Sequence, residues 1–227
     1  MPIVFSVHRM DYTCEARYQQ PELDIFRDNA ALAAHMYNAM RTHGITLADI
    51  KIELGDGSLG DLHLFCKLFD FGLTVRIRPD RVDIVGAGVN TEEQANTYAA
   101  AAVDALTAIQ KLIKSGYGTY TIQVNLHGPV EGDLKAFLAQ FIAKTPAIGP
   151  VTGNAVGYYY GPSEDRLSSG VIADLSGVVP GGLYVRVQGV WDATRVQKVQ
   201  DLPSRINAYV RDALTALDVS VPTAGAK

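Results

Sequence analysis

The chain is poor in cysteine, in basic charge and in long apolar runs, and each shortage removes a class of protein. Its 227 residues hold two cysteines, Cys14 and Cys66. Two thiols do not build the disulfide framework of a small secreted scaffold, so a reduced, cytoplasmic chain is expected. The absence of any Asn-x-Ser/Thr sequence agrees with that. The opening Met1-Pro2-Ile3-Val4-Phe5 has no positively charged start, and its apolar run ends at Ser6, which does not describe a signal peptide. No segment approaches the roughly 20 apolar residues of a membrane span. Even the most apolar helical stretch, Tyr98 to Ile113, carries Asp104, Gln110 and Lys111. The net charge of −4 argues against a nucleic-acid partner, because gripping a phosphate backbone calls for a basic excess. The five histidines fall in no metal-ligand spacing, and no Cys-x-x-Cys is present, so no metal or other cofactor is expected. His63 and Cys66 lie three apart on an expected strand and face opposite sides, a poor geometry for shared ligation.

What is present is ordinary globular composition, 48% hydrophobic and 19% charged. A short strand is expected over residues 2–8, followed by a polar, irregular stretch from Arg9 to Pro21. Phe26, Ala30, Ala33, Tyr37 and Met40 mark one face of a helix from Asp24, its cap, to His43, with Gly44 as the stop. Strands follow at Ile50–Leu54, at Leu62–Leu68 and at Leu73–Ile77. The alternation of Leu62, Leu64, Cys66 and Leu68 with His63, Phe65, Lys67 and Phe69 is that of a half-buried strand. Arg78-Pro79-Asp80-Arg81 reads as a tight turn into an antiparallel partner at Val82, Ile84 and Gly86. A long helix, capped by Thr91 and Gln94, runs to Lys114, with small inner residues that let it lie close on a sheet.

The order then repeats: a strand through Tyr120, Ile122, Val124 and Leu126, and a helix striped by Leu134, Phe137, Leu138, Phe141 and Ile142 that Pro146 stops. Strands near 151–160, 170–176 and 183–190 precede a final helix from Asp201 with Pro203 in its first turn and a loose tail from Val219. Leu73-Thr74-Val75-Arg76-Ile77 echoes Leu183-Tyr184-Val185-Arg186-Val187, and Asp104–Ile109 echoes Asp212–Leu217. The expected fold is therefore α+β: two tandem, duplicated β-α-β(3–4)-α halves, residues 1–116 and 117–227, packed as one unit. Such halves resemble helix-grip or TATA-binding-protein-like units, a curved antiparallel sheet with helices on one face. The resemblance is one of architecture and names no function.

Several segments touch known chemistry and fall short of it. Val85-Gly86-Ala87-Gly88-Val89-Asn90-Thr91 follows a strand and precedes a helix, but Thr91 replaces the third glycine of a dinucleotide turn, and the strands before it are hairpins. Gly55-Asp56-Gly57-Ser58-Leu59-Gly60 has neither the Lys-Ser/Thr of a phosphate loop nor the glycine two before Ser58 of a nucleophile elbow. His35 and His43 read as helix-surface residues. Tyr158-Tyr159-Tyr160 and Trp191 supply aromatic surface, part of it core, and Gly161–Arg166 reads as a polar hairpin tip.

The polar faces of the strands are the most informative set. Thr119, Thr121, Gln123, Asn125 and His127 point away from the apolar side of their strand, and His63, Lys67, Thr74, Arg76 and Arg78 do so on theirs. The candidate binding residues are His63, Lys67, Arg76, Arg78, Gln123, Asn125, His127 and Arg186, with Arg76 and Arg186 at equivalent places in the repeat. The first functional expectation is a non-enzymatic binding protein that docks on another protein or on itself through this face. The second is a small-molecule or lipid binder with a cavity between sheet and long helix lined by Tyr98, Phe137 and Phe141. The third is a hydrolytic enzyme using His63 or His127 as base.

Overall fold

Alternating apolar and polar residues leave each strand one side to bury, and long amphipathic helices cover that side. In the computed structural model, which describes residues 3–53, 60–141, 155–196 and 198–222, this produces an α+β fold on a nine-stranded sheet. In chain order the elements are β1 (Ile3–Phe5), β2 (Arg9–Tyr18), α1 (Asn29–Met40), β3 (Ile50–Glu53), β4 (His63–Leu68), β5 (Leu73–Ile77), β6 (Arg81–Val89) and α2 (Glu92–Gln110). Then come β7 (Tyr117–Gly128), β8 (Val130–Glu131), α3 (Leu134–Ala139), β9 (Val156–Tyr160), β10 (Arg166–Leu175), β11 (Leu183–Asp192), α4 (Leu202–Ala216) and β12 (Val219–Ser220). The sheet order is β3-β4-β5-β6-β2-β7-β11-β10-β9, and every neighbouring pair is antiparallel.

The central strand β2 occupies the stretch expected to be irregular. Cys14, Ala16 and Tyr18 are buried on its helix side, while Arg9, Asp11, Glu15 and Arg17 carry charge on the other. Four charges in ten residues, with no Val or Ile, hide the period of two. The first helix also differs from expectation. A 3-10 turn at Leu23–Phe26 precedes α1, and Asp28, not Asp24, caps it by accepting the Ala31 N–H at 2.9 Å. Asp24 instead pairs with Lys114 at 2.6 Å. Gly44 does close the segment in the left-handed conformation, φ +81. Thr91 caps α2 by accepting the Gln94 N–H, and Gln94 reaches back past the cap to accept the Asn90 N–H, so the reciprocal bond goes one residue beyond a capping box. That helix ends at Gln110, four residues short of Lys114. The tail from Val219 is not loose at its start, since β12 pairs in parallel with β1 in a separate small sheet, β12-β1-β8. The helix stop at Pro146 and the first residues of the strand expected from 151 lie outside the described residues, as do 54–59.

One core fills the space between sheet and helices. Ala101, Ala105, Leu106 and Ile109 of α2 and Tyr209, Ala213 and Leu214 of α4 meet Ile84, Ile122 and Val187 of the strands. Trp191 is buried edge-on to Tyr209 at 6.1 Å. The ring of Tyr12 occupies the space a Cβ at Gly86 would need, so glycine there lets an aromatic lie flat on the sheet. Cys14 and Cys66 are free and buried on strands three places apart. His35 and His43 are not idle helix surface: a ring nitrogen of His35 lies 3.0 Å from the Ala108 carbonyl, and His43, in the 3-10 turn after α1, lies 2.8 Å from Asp104, so they tie α1 and the turn that follows it to α2.

The single buried charged side chain among the described residues is Glu22, 7% exposed. Its Oε1 accepts the Lys114 N–H at 2.9 Å and the Ser115 N–H at 2.6 Å, closing the end of α2 onto the chain leaving β2. Burial opposes its ionisation, but these bonds outweigh burial and hold its pKa below the ordinary 4.5. At the β4–β5 tip, Phe69, Asp70 and Phe71 all have positive φ, a costly run for L-residues. Phe69 is anchored there by stacking on Tyr98 at 4.9 Å.

Two outcomes follow for urea unfolding at neutral pH. Glu22→Ala removes the acceptor of two part-buried N–H groups and costs about 1–2 kcal/mol; the loss shrinks as pH falls through the carboxylate's titration, because the wild-type protein then forfeits the same bonds. Asp70→Gly relieves one left-handed residue and adds about 1 kcal/mol.

Candidate binding face

The helices cover one side of the sheet, and the other side is open. Register fixes what meets what on that open side. One row reads Ile172, Arg186, Asn125 and Asp11 across β10, β11, β7 and β2. The next reads Asp174, Tyr184, His127 and Arg9.

The β3–β6 wing and β2 neutralise themselves. Arg9 grips Asp11 through Nε at 2.9 Å and Nη2 at 3.0 Å. Arg17 pairs with Glu15 at 2.7 Å, Arg81 with Asp80 at 2.7 Å and with Asp83 at 3.1 Å, Arg78 with Asp83 at 3.0 Å, and Lys67 with Asp49 at 3.3 Å. His63 sits between the Asp61 carbonyl, 2.7 Å from Nδ1, and Glu53, 3.2 Å from Nε2. The Arg76 guanidinium lies over the Phe65 ring at 5.8 Å. Such exposed pairs add little stability, but they leave little net charge to attract an ion.

Around β7 and β11 the polar groups are organised differently. Asn125 Oδ1 accepts from both Tyr184 Oη at 2.9 Å and Gln123 Nε2 at 3.1 Å, which turns the Asn125 NH2 away from them. His127 stacks on Tyr184 with centroids 4.9 Å apart, and its Nδ1 lies 3.0 Å from Ser176 Oγ. That oxygen already accepts the Val178 and Val179 N–H groups at 3.1 and 2.9 Å. Its own proton therefore goes to Nδ1, and neutral His127 carries its proton on Nε2. Ser176 thus holds the turn through two accepted bonds while donating to His127. Burial lowers the His127 pKa; Asp11 opposes that and Arg9 adds to it. Burial also resists ionisation of Asp11, yet the bonds from Arg9 and the Gly88 N–H prevail and depress its pKa. Arg186 makes no hydrogen bond or ion pair among the described residues. Tyr159, 78% exposed, lays its ring against Gly170 on the same side.

The structure therefore gathers Gln123, Asn125, His127 and Arg186, and it separates them from His63, Lys67, Arg76 and Arg78. From β7 to β5, which bears Arg76, is three strand spacings, about 14 Å. Arg76 and Arg186 are not equivalent: β11 borders the central pair, whereas β5 stands one strand further out, beyond β6. Tyr159 joins Gln123, Asn125, His127 and Arg186 from the aromatic run already marked in the sequence, and Tyr184, Asp11, Arg9 and Ser176 join the site unforeseen. Tyr184 had a signal in its alternation with Arg186; Asp11, Arg9 and Ser176 did not.

The glycine segment before α2 belongs to a hairpin. Gly88 has φ +67, its N–H donates to Asp11 at 2.7 Å, and β6 is antiparallel to both neighbours, unlike a dinucleotide-binding unit. Tyr98 stacks on Phe69, and Phe137 packs edge-on to Phe141. No group of three or more metal-ligating side chains gathers among the described residues, and no helix among them is long and apolar enough to cross a membrane.

No family model and no curated protein matches the chain. Among solved structures, a rolling circle replication initiator protein from Geobacillus stearothermophilus is similar over 93% of this chain and 85% of that one, at a TM-score of 0.37 and 10% identity. Similarity at that depth does not bear on function.

Because the folded protein resists protonating His127, the unfolded chain binds the extra proton as pH drops below 6.5, and stability falls with it. Urea midpoints measured across that range should decline in the wild type and flatten in His127→Asn. The acid limb below about 4, which belongs to carboxylates such as Asp11 and Glu22, should persist in both.

Proposed function

We propose that this chain is a non-enzymatic binding protein that takes a protein partner on the open face of β7, β11, β10 and β9. The observation that carries the reading is the unpaired Arg186 guanidinium. It stands beside Asn125, whose orientation is set by two hydrogen bonds, and on the same face as the exposed Tyr159. Tyrosine and arginine dominate the energetics of protein interfaces, and side chains held in place before contact lose less entropy on binding. The partner is a protein rather than a nucleic acid, because Arg9, Arg17, Arg78 and Arg81 are spent on internal carboxylates, Arg76 lies against the Phe65 ring, and the net charge is −4. The two free, buried thiols accord with a cytoplasmic setting. The repeated strand–helix–strands–helix order supports reading residues 1–116 and 117–227 as copies of one unit.

The test is affinity capture by the tagged full chain, quantified by mass spectrometry. Proteins retained by the wild type should fall roughly tenfold or more with Arg186→Glu or Tyr159→Ala. They should be retained by Lys51→Glu, which changes a charge on the far wing. Equal capture by all four proteins, or tight DNA or RNA retention in low-salt filter binding, rejects the proposal.

A further inference from the structure

On the opposite side of the sheet from that face, residues of α2, α4 and the central strands line a cavity of about 140 Å³. Cys14, Ile122 and Val124 form its floor, and Ala99, Ala102 and Ile206 its roof. Roof positions that would close the space with a longer side chain carry alanine. The cavity is apolar and opens to solvent on one side, so the middle of the sheet lacks there the close packing found elsewhere in the core. The Tyr12 side chain forms part of the wall, while its ring leans over Gly86, away from Ile122 and Val124. Asn96 of α2 and Asn207 of α4 stand at the exposed lip, and neither side-chain amide makes a hydrogen bond among the described residues. A dry cavity of about 150 Å³ admits a benzene-sized molecule.

We infer that this cavity is a binding site for a neutral, single-ring apolar molecule carrying one hydrogen-bonding group. The ring replaces the missing packing between Ala99, Ala102 and Ile122. Its polar group pairs with the Asn96 or Asn207 amide at the lip. The thiol of Cys14 takes no chemical part: burial pushes its pKa up to about 12, so it stays protonated at the cavity floor. The site is independent of the sheet face and does not require that reading to hold.

The probes are phenol and toluene, titrated into the full chain and followed through the methyl resonances of Ile122, Val124 and Ile206. Saturable one-to-one shifts at these methyls are expected, with phenol tighter than toluene, together with a rise in Tm. Ala99→Leu should fill the cavity, keep or raise the Tm of the free protein, and weaken phenol binding roughly tenfold or more. Should Ala99→Leu fail to fold, Val103→Phe at the same wall carries the same comparison. The inference is overturned if neither probe saturates, if Ala99→Leu raises Tm while the wild type shows no probe shifts, or if binding survives both fillings unchanged.

Discussion

The antiparallel pairing of β2 with β7 is the constraint on which the rest depends. It joins the strands of the first half to those of the second, and its register runs from Arg9 opposite His127 to Tyr18 opposite Tyr117. Side chains alternate with a period of two, so a slip of one residue would bring Asp11 and Glu15 into the core and turn Tyr12 and Cys14 outward. Burying those carboxylates unpaired would be prohibitive. The register is therefore held by desolvation as much as by hydrogen bonds. It in turn sets Asp11 opposite Asn125, and Asn125 opposite Arg186.

From that pairing the two sides of the sheet acquire different characters. The covered side is aliphatic and aromatic, with α2 and α4 astride the seam and a gap between them. The open side divides by electrostatics. On β2 and β3–β6, closely spaced opposite charges satisfy each other along and across strands, leaving a surface of low net potential. On β7, β11 and β10, charge is sparse, and the side chains orient one another through Asn125, Tyr184, His127 and Ser176. In that second region the Arg186 guanidinium alone among the basic side chains makes no hydrogen bond or ion pair with the described residues.

Much of the fold was legible in the chain. Strands whose inner residues are Leu, Val or Ile announce themselves, as at Leu64-x-Cys66-x-Leu68 and Ile122-x-Val124-x-Leu126, and the cap at Thr91 names the start of α2. Where burial is achieved by Tyr12, Cys14, Ala16 and Tyr18 between charged neighbours, the period is present but its contrast is low, and a central strand looked irregular. His35 and His43 misled for a related reason: a polar residue on a helix has no way of signalling that its bond goes to another helix. Half of the candidate site was visible, since strand alternation places Gln123, Asn125 and His127 on one face.

The sequence by itself determined the α+β class, the antiparallel character of the sheet and the face on which each strand residue stands, because periodicity and turn chemistry act over a few residues. Only the tertiary structure decided which strands lie side by side, and with that whether a charge is paired or free. Arg78 and Arg186 are indistinguishable as letters. One finds Asp83 at 3.0 Å and the other finds no carboxylate among the described residues, because strand order is settled by packing the two halves together and not by any local preference.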